Sequence, residues 1–332
     1  MSATIRRASI AGPGDIGIVL AESPEHSDAD TLLAVEAVGV CGTDISLVKH
    51  GSAPPEQVLG HEIVGRVVAA PPESHLVLGE RVMVRPIRGC HVCWYCRNGL
   101  EHQCDHSVDL TISYGRRGGF SDELVLSDVE PGELVPVHDA VETLDAVWAE
   151  PLAVAVHAVN RALLKPRQDE LVVIGSGPLG LCVTAAASAI GVRVIAVEPR
   201  PGRRKAALLA GAAEAVHPDE ASDLRAGQVC VTVGGDAAML LSARVTLPGG
   251  NAVYAGLGST TLNVLPRPYT VKGSFGYTPA EFLQSTALIN EGAVSLRSLV
   301  THVVGLDEIA SAIEVSSTDP DAVKVVVSPT RG

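Results

Sequence analysis

The sequence predicts an α/β chain of two domains, one β-rich and one built as a doubly wound parallel sheet. Three observations carry this expectation. Short Val-rich runs broken by Gly and Pro fill the first 150 or so residues; apolar strands alternate with Ala-rich helices from Leu171 on; and a glycine motif stands at the head of one such helix. With 332 residues and 46% hydrophobic content, the chain has enough apolar material for two cores.

In chain order, Leu32 to Val40 and Glu62 to Ala69 read as strands of the β-rich part. LVVIGSGPLG, VRVIAVE, QVCVTV and NAVYAGLG read as buried parallel strands, and CVTAAASAI and RRKAALLAGA as the helices between them. After Gly276 come a helix over Ala280 to Asn290, the run LVTHVVGL, a second helix and the strand VKVVV. That tail is too short for a domain of its own. It is expected to return to the first domain, so that residues 154–276 form the doubly wound domain inserted between segments 1–153 and 277–332 of the other.

Composition narrows the function. A net charge of -13 would repel a phosphate backbone, which argues against a nucleic-acid or anionic-membrane role. The N-terminus lacks a secretory apolar stretch and no run approaches a bilayer span, so a cytoplasmic protein is expected. Four of the seven cysteines crowd into fifteen residues at metal-ligand spacing, which suits zinc in a reducing compartment better than disulfides.

Gly175, Gly177 and Gly180 form G-x-G-x-x-G straight after an apolar strand, with Pro178 and Leu179 between the last two. The first glycine permits a tight turn, the second lets a pyrophosphate approach the backbone, and the third allows helix and strand to pack closely; the helix N-terminus then faces the phosphates. Glu198 ends the next strand 23 residues beyond Gly175, where an acid would grip the ribose diol of NAD. Arg200, Arg203 and Arg204 follow at once, which keeps the 2'-phosphate of NADP open.

Cys90, Cys93, Cys96 and Cys104, in a lobe spanning 88–105, are spaced C-x2-C-x2-C-x7-C. Four thiolates at that spacing can close a tetrahedron around one zinc ion and leave no vacancy, so the site is expected to be structural. A nucleic-acid-binding ribbon is the rival reading, against which the acidic chain and few basic neighbours argue. His91, His102 and His106 are expected on the surface.

A second donor set is dispersed: Cys41 in GVCGTD, His61 and Glu62 in LGHEIVG, and Glu150 in WAEPLAV. One thiolate, one imidazole and one or two carboxylates suit a zinc ion that keeps a position open for substrate. Spacing alone does not join them. The order of GVCGTD, GHE, the four-cysteine lobe, GGFSDE and EPLAVAVHA ahead of the glycine motif resembles zinc-containing medium-chain dehydrogenases over nearly the whole chain. The match is nearest the polyol branch that includes sorbitol and threonine dehydrogenases, because EPL stands where alcohol dehydrogenases carry a third zinc cysteine.

The resemblance implies a GroES-like catalytic domain and a Rossmann coenzyme domain, two zinc ions per chain, and NAD, with NADP possible, as hydride partner for a secondary alcohol such as a polyol or cyclitol. Cys41, His61 and Glu150 become catalytic-zinc residues, with Glu62 a constant or intermittent ligand. Asp44 becomes the partner that orients His61, and Thr43 the hydroxyl that takes the proton from the substrate oxygen. Two positions depart from the pattern: Ser46 stands where many relatives carry a proton-relaying histidine, with His50 nearby but out of line, and Gly276 stands where sorbitol dehydrogenases carry a polyol-binding arginine. Tyr277, Trp148, Phe120 and Arg116 or Arg117 are candidates for the substrate pocket.

Three alternatives stay open: an NADP-dependent ketone reductase, a biosynthetic cyclitol or aminocyclitol dehydrogenase, and a zinc-stabilised binding protein whose catalytic site is idle. The strands LNVLP and YTVKGSF pair across a subunit boundary in relatives, which implies a homodimer or homotetramer.

Overall fold

The computed structural model describes residues 4–164, 169–256 and 268–331. The chain divides into two compact units, one of Met1–Glu150, Thr278–Asn290 and Leu296–Gly332, the other of Pro151–Tyr277 and Glu291–Ser295.

The first unit is built on a seven-stranded sheet. Its strands run in the order Val300–Gly305, Lys324–Ser328, Asp30–Gly39, Glu62–Ala69, Arg81–Val84 and Leu134–Pro136, with Glu123–Ser127 also paired to Asp30–Gly39. Only the first pair is parallel; the others are antiparallel, as hairpin-linked strands allow. Leu33, Val35, Val38, Ile63, Val67, Val82 and Val325 meet in one apolar core under this sheet. The expected strands at Leu32 to Val40 and Glu62 to Ala69 therefore form, and the tail returns to this unit.

The second unit carries six parallel strands in the order Glu214–Val216, Arg193–Val197, Glu170–Ile174, Ala226–Val231, Thr246–Tyr254 and Thr270–Gly273. Numbered along the chain this is 3-2-1-4-5-6, the dinucleotide-binding order, and it reverses beside the Glu170–Ile174 strand. Leu171 to Ile174 are buried throughout, which is why the run reads as continuous apolar rather than alternating. Of the two expected subunit-pairing strands, LNVLP lies outside the described residues, and YTVKGSF contains the Thr270–Gly273 edge strand. Among the described residues no helix is long and apolar enough to cross a membrane.

Candidate metal centres and nucleotide loop

The register of two strands builds the first centre. Gly39 at the end of one strand is paired with Glu62 at the start of its neighbour. Cys41, just past the first, therefore meets His61, just before the second. Ligand atoms of Cys41, His61 and Glu62 all lie within 4.8 Å of one another. Glu150, buried in the first turn of the Ala149–Ala162 helix, is not in that group.

Asp44, fully buried, ties the centre together. Its carboxylate accepts the Cys41 N–H at 3.0 Å, the Gly60 N–H at 3.3 Å and the Ser113 hydroxyl at 3.5 Å, and lies 3.5 Å from His61 Nδ1. That contact faces Nδ1 to the acid and leaves Nε2 for a metal. Burial works against a charged His61, but Asp44 and Cys41 outweigh it and hold the imidazole well above its ordinary pKa.

Thr43 Oγ1 is 3.7 Å from Cys41 Sγ, and the Tyr114 ring centroid stands 6.4 Å from that of His61. Burial raises the Tyr114 pKa, which His61 and the Thr43 hydroxyl pull back. Ser46 and His50 are exposed one turn apart, 3.4 Å between Oγ and Nδ1.

Glu62 is paired with Lys324, whose side chain is fully buried; Lys324 Nζ also donates to the Val40 carbonyl at 3.4 Å and stands 5.2 Å from the Trp148 ring centroid. An added Cβ at Gly39 would collide with both partners, so the pair needs a glycine there. Sequence reasoning missed Lys324. Its signal was a lone charge inside VKVVV, a strand apolar enough to be buried on both faces.

The pocket candidates fare differently. Phe120, Trp148 and Tyr277 are core side chains, and Arg116 turns to Glu133 at 3.1 Å. His102, expected on the surface, is buried instead, because the short helical turn Glu101–Gln103 points it inward.

The second centre is closed. Sγ atoms of Cys90, Cys93, Cys96 and Cys104 lie within 4.8 Å of one another, and none of them forms a disulfide. Cys93 and Cys104 Sγ stand 3.8 Å apart, the edge length of a tetrahedron with zinc–sulfur bonds of about 2.3 Å. Backbone N–H groups of Cys90, Cys93, Cys96 and His106 donate to the sulfurs at 3.3 to 3.5 Å, favouring thiolates. The donor set fits zinc. Glu130 and Glu133 secure the lobe's entry through Arg85 and Arg88, at 2.8 Å and 2.5 Å.

In the second unit the glycine motif follows the Glu170–Ile174 strand and opens the Pro178–Ala189 helix. Gly175 has φ +99, a left-handed turn an L side chain resists, and Gly180 packs against the Gly175 carbonyl. Around Gly177 the nearest atom to an added Cβ is an Arg203 nitrogen at 3.8 Å. This backbone is open to a ligand, as a pyrophosphate cradle requires. Glu198 is buried below it, accepting the Ser176 N–H at 2.9 Å and the Arg200 N–H at 3.0 Å. Arg204 is spent on the carbonyls of Glu198 and Pro199. Burial lowers the pKa of Arg203, as does Arg200, against Glu198.

Comparison with known proteins places the chain in a family. Residues 27–139 match the model of the alcohol dehydrogenase GroES-like domain, and residues 178–291 that of zinc-binding dehydrogenases. L-galactonate-5-dehydrogenase of Escherichia coli K12 is 30% identical, over 88% of this chain and 89% of its own. D-xylulose reductase A of Aspergillus oryzae is 28% identical over 87% of each chain. The structure of 2R,3R-butanediol dehydrogenase from Bacillus subtilis superposes with a TM-score of 0.86 at 25% identity, over 98% of this chain and 99% of that one.

Proposed function

The chain belongs to the zinc-containing medium-chain alcohol dehydrogenases, and on that premise we propose that Cys41, His61 and Glu62 form its catalytic zinc site, with Glu150 joining when metal is bound. It is an oxidoreductase that moves hydride between a secondary alcohol and NAD(P). The observation that carries the site is the convergence of one thiolate, one imidazole and one carboxylate within 4.8 Å, with the Thr43 hydroxyl alongside. Three donors leave a fourth position for substrate, whereas the four-cysteine lobe leaves none.

When bound, zinc supplies Lewis acidity at the alcohol oxygen and the nicotinamide supplies the hydride acceptor. Half-exposed Thr43 would accept a hydrogen bond from the alcohol hydroxyl and relay its proton by passing its own on to water. Asp44 keeps the His61 ring aimed, and Lys324 restrains the Glu62 carboxylate. In the second unit the Gly177 and Leu179 N–H groups would hold the pyrophosphate at the helix start that Pro178 opens, with Gly175 and Gly180 shaping the turn. Glu198 uses one lone pair on each oxygen for a backbone N–H, so further acceptor capacity remains for a ribose diol. NAD is the favoured cofactor, with Arg203 beside the ribose. The domain split we favour remains 1–153 with 277–332 and 154–276.

Galactonate, xylulose and butanediol, in the relatives' names, point to a small polyhydroxylated alcohol or its ketone. Pairing through the Thr270–Gly273 edge would give a homodimer or homotetramer. Seven cysteines without a disulfide suit the cytoplasm.

The test is a panel of secondary alcohols and polyols with NAD and with NADP, beside metal analysis. About two zinc ions per chain and NAD reduction that stops when zinc is stripped are expected. Turnover that survives zinc removal defeats the mechanism, and an NADP preference of about tenfold defeats the role given to Glu198.

A further inference from the structure

A network of charges links the surroundings of the two metal centres: Arg85, Arg88 and Arg116 are set against Glu101, Glu130 and Glu133. Glu133 is its hub, with a side chain only 1% exposed. One carboxylate oxygen takes Arg116 Nη1 at 3.1 Å, and the other takes Arg88 Nη2 and the Glu130 N–H. A buried acid in this position leaves two guanidinium groups stranded if it is lost.

The two arginines lead in different directions. Arg88 stands two residues before Cys90, and the Glu130 carboxylate that it shares with Arg85 also meets His91 Nε2 at 2.7 Å, so this side of the network holds the start of the four-cysteine lobe. Arg116 closes the turn that carries Ser113. Its carbonyl accepts the Ser113 N–H at 2.9 Å and the Gln57 amide at 3.1 Å, and its own N–H returns to the Thr111 carbonyl at 3.2 Å. Ser113 has φ +80, a backbone that a residue with a side chain keeps only where its surroundings hold it, and its hydroxyl reaches the Asp44 carboxylate at 3.5 Å. Asp44 in turn takes the Cys41 N–H and faces His61.

We propose that Glu133 is a positioning residue that couples the two metal centres, so that metal in the four-cysteine lobe tightens the hold of Cys41, His61 and Glu62 on their own ion. The inference rests on the reading of those three residues as the open zinc site. Emptying the lobe removes the cross-links around Cys90 and frees Arg88 from Glu133. Arg116 then loses its fixed partner, the strained Ser113 turn relaxes, and Asp44 gives up one of its donors. Coupling of this kind is reciprocal: metal in the open site tightens the lobe by the same factor.

The experiment titrates the chelated full chain with Co2+ under argon, because the visible bands of a four-thiolate site differ from those of a site with one thiolate. Four proteins are compared: the wild type, Glu133→Gln, the lobe variant Cys93→Ser with Cys96→Ser, and the variant carrying all three changes. The lobe variant is expected to bind Co2+ at the open site about five- to tenfold more weakly than the wild type. Glu133→Gln should show a similar loss, and the triple variant no further one, since both changes cut the same link. Equal open-site affinity in the wild type and the lobe variant overturns the proposal, as do additive losses, which a merely structural role would give. Four-thiolate bands alone in the wild type overturn the reading of the open site itself, and the coupling with it. Arg116→Met, which leaves Arg88 on Glu133, must reproduce the loss, with thermal melting of each variant as the check on folding. Should the lobe variant not fold, the reverse measurement decides: Cys41→Ser should weaken Co2+ binding at the lobe about five- to tenfold in the wild type and not in Glu133→Gln, and an unchanged lobe affinity in both overturns the coupling.

Discussion

Lys324 and Glu62 form an ion pair inside the core of the first unit, with the Lys324 side chain fully screened from solvent and Glu62 also contributing to the cluster of metal-ligand atoms. An ammonium in that position is held by the Glu62 carboxylate, the Val40 carbonyl and the face of Trp148. Restraining a carboxylate this way limits how fully it can neutralise a bound cation.

Lys324→Met strands the Glu62 charge in the core. Breaking one side of a buried pair costs about 3–5 kcal/mol, so the variant should melt well below the parent, and the double variant Lys324→Met with Glu62→Gln should recover part of the loss. Calorimetric melting of the four proteins checks it. Strictly additive losses would mean that the pair is not coupled.

Asp44→Asn keeps the size of the side chain and removes the charge facing His61 Nδ1. Loss of such an orienting partner weakens metal binding by about 10–100-fold. Elemental analysis after dialysis should fall from about two zinc ions per chain towards one, with the four-cysteine site still filled. Retention of both ions would contradict the place given to Asp44.

Gly177→Ala and Gly180→Ala should part company. Alanine at 177 meets no atom nearer than 3.8 Å, so the variant should fold normally and show a raised KM for the cofactor. At 180 the new methyl runs into the Gly175 carbonyl, so stability should drop first. Melting curves beside cofactor titrations distinguish the two outcomes.

Zinc removal should expose a graded set of thiols. The Cys96 N–H donates to Cys93, and the nearby N–H and thiol groups pull its pKa down to about 6 despite some burial, while burial pushes Cys96 up to about 12. A thiol is nucleophilic above its pKa, so at pH 7 Cys93 is largely thiolate and Cys96 is protonated. Brief iodoacetamide treatment of chelated protein, mapped by mass spectrometry, should mark Cys93 ahead of Cys96; the reverse order would refute the assignment.

The ligand types, the closed four-cysteine spacing, the glycine turn and the alternation of strand and helix were legible because each is a local pattern. A tetrahedral site whose donors span fifteen residues, or a turn that needs a glycine at Gly175, is written within a few positions of the chain. Glu198 was legible for the same reason: it ends a strand whose neighbour ends in the glycine loop.

Strand register and turn geometry supplied the rest. Lys324 meets Glu62 across 262 positions, Ser113 reaches Asp44 across 69 from a left-handed turn, and Tyr114 comes to stand beside His61, none of which a local pattern encodes. Phe120 and Trp148, aromatic enough to suggest a pocket, were taken by the core because burying large apolar surface outweighs leaving it beside a small polar ligand. Residue types and spacing thus name the chemistry that is available, while the folded sheet chooses which polar side chains stand around it, since a buried charge or hydroxyl persists only where a distant strand brings it a partner.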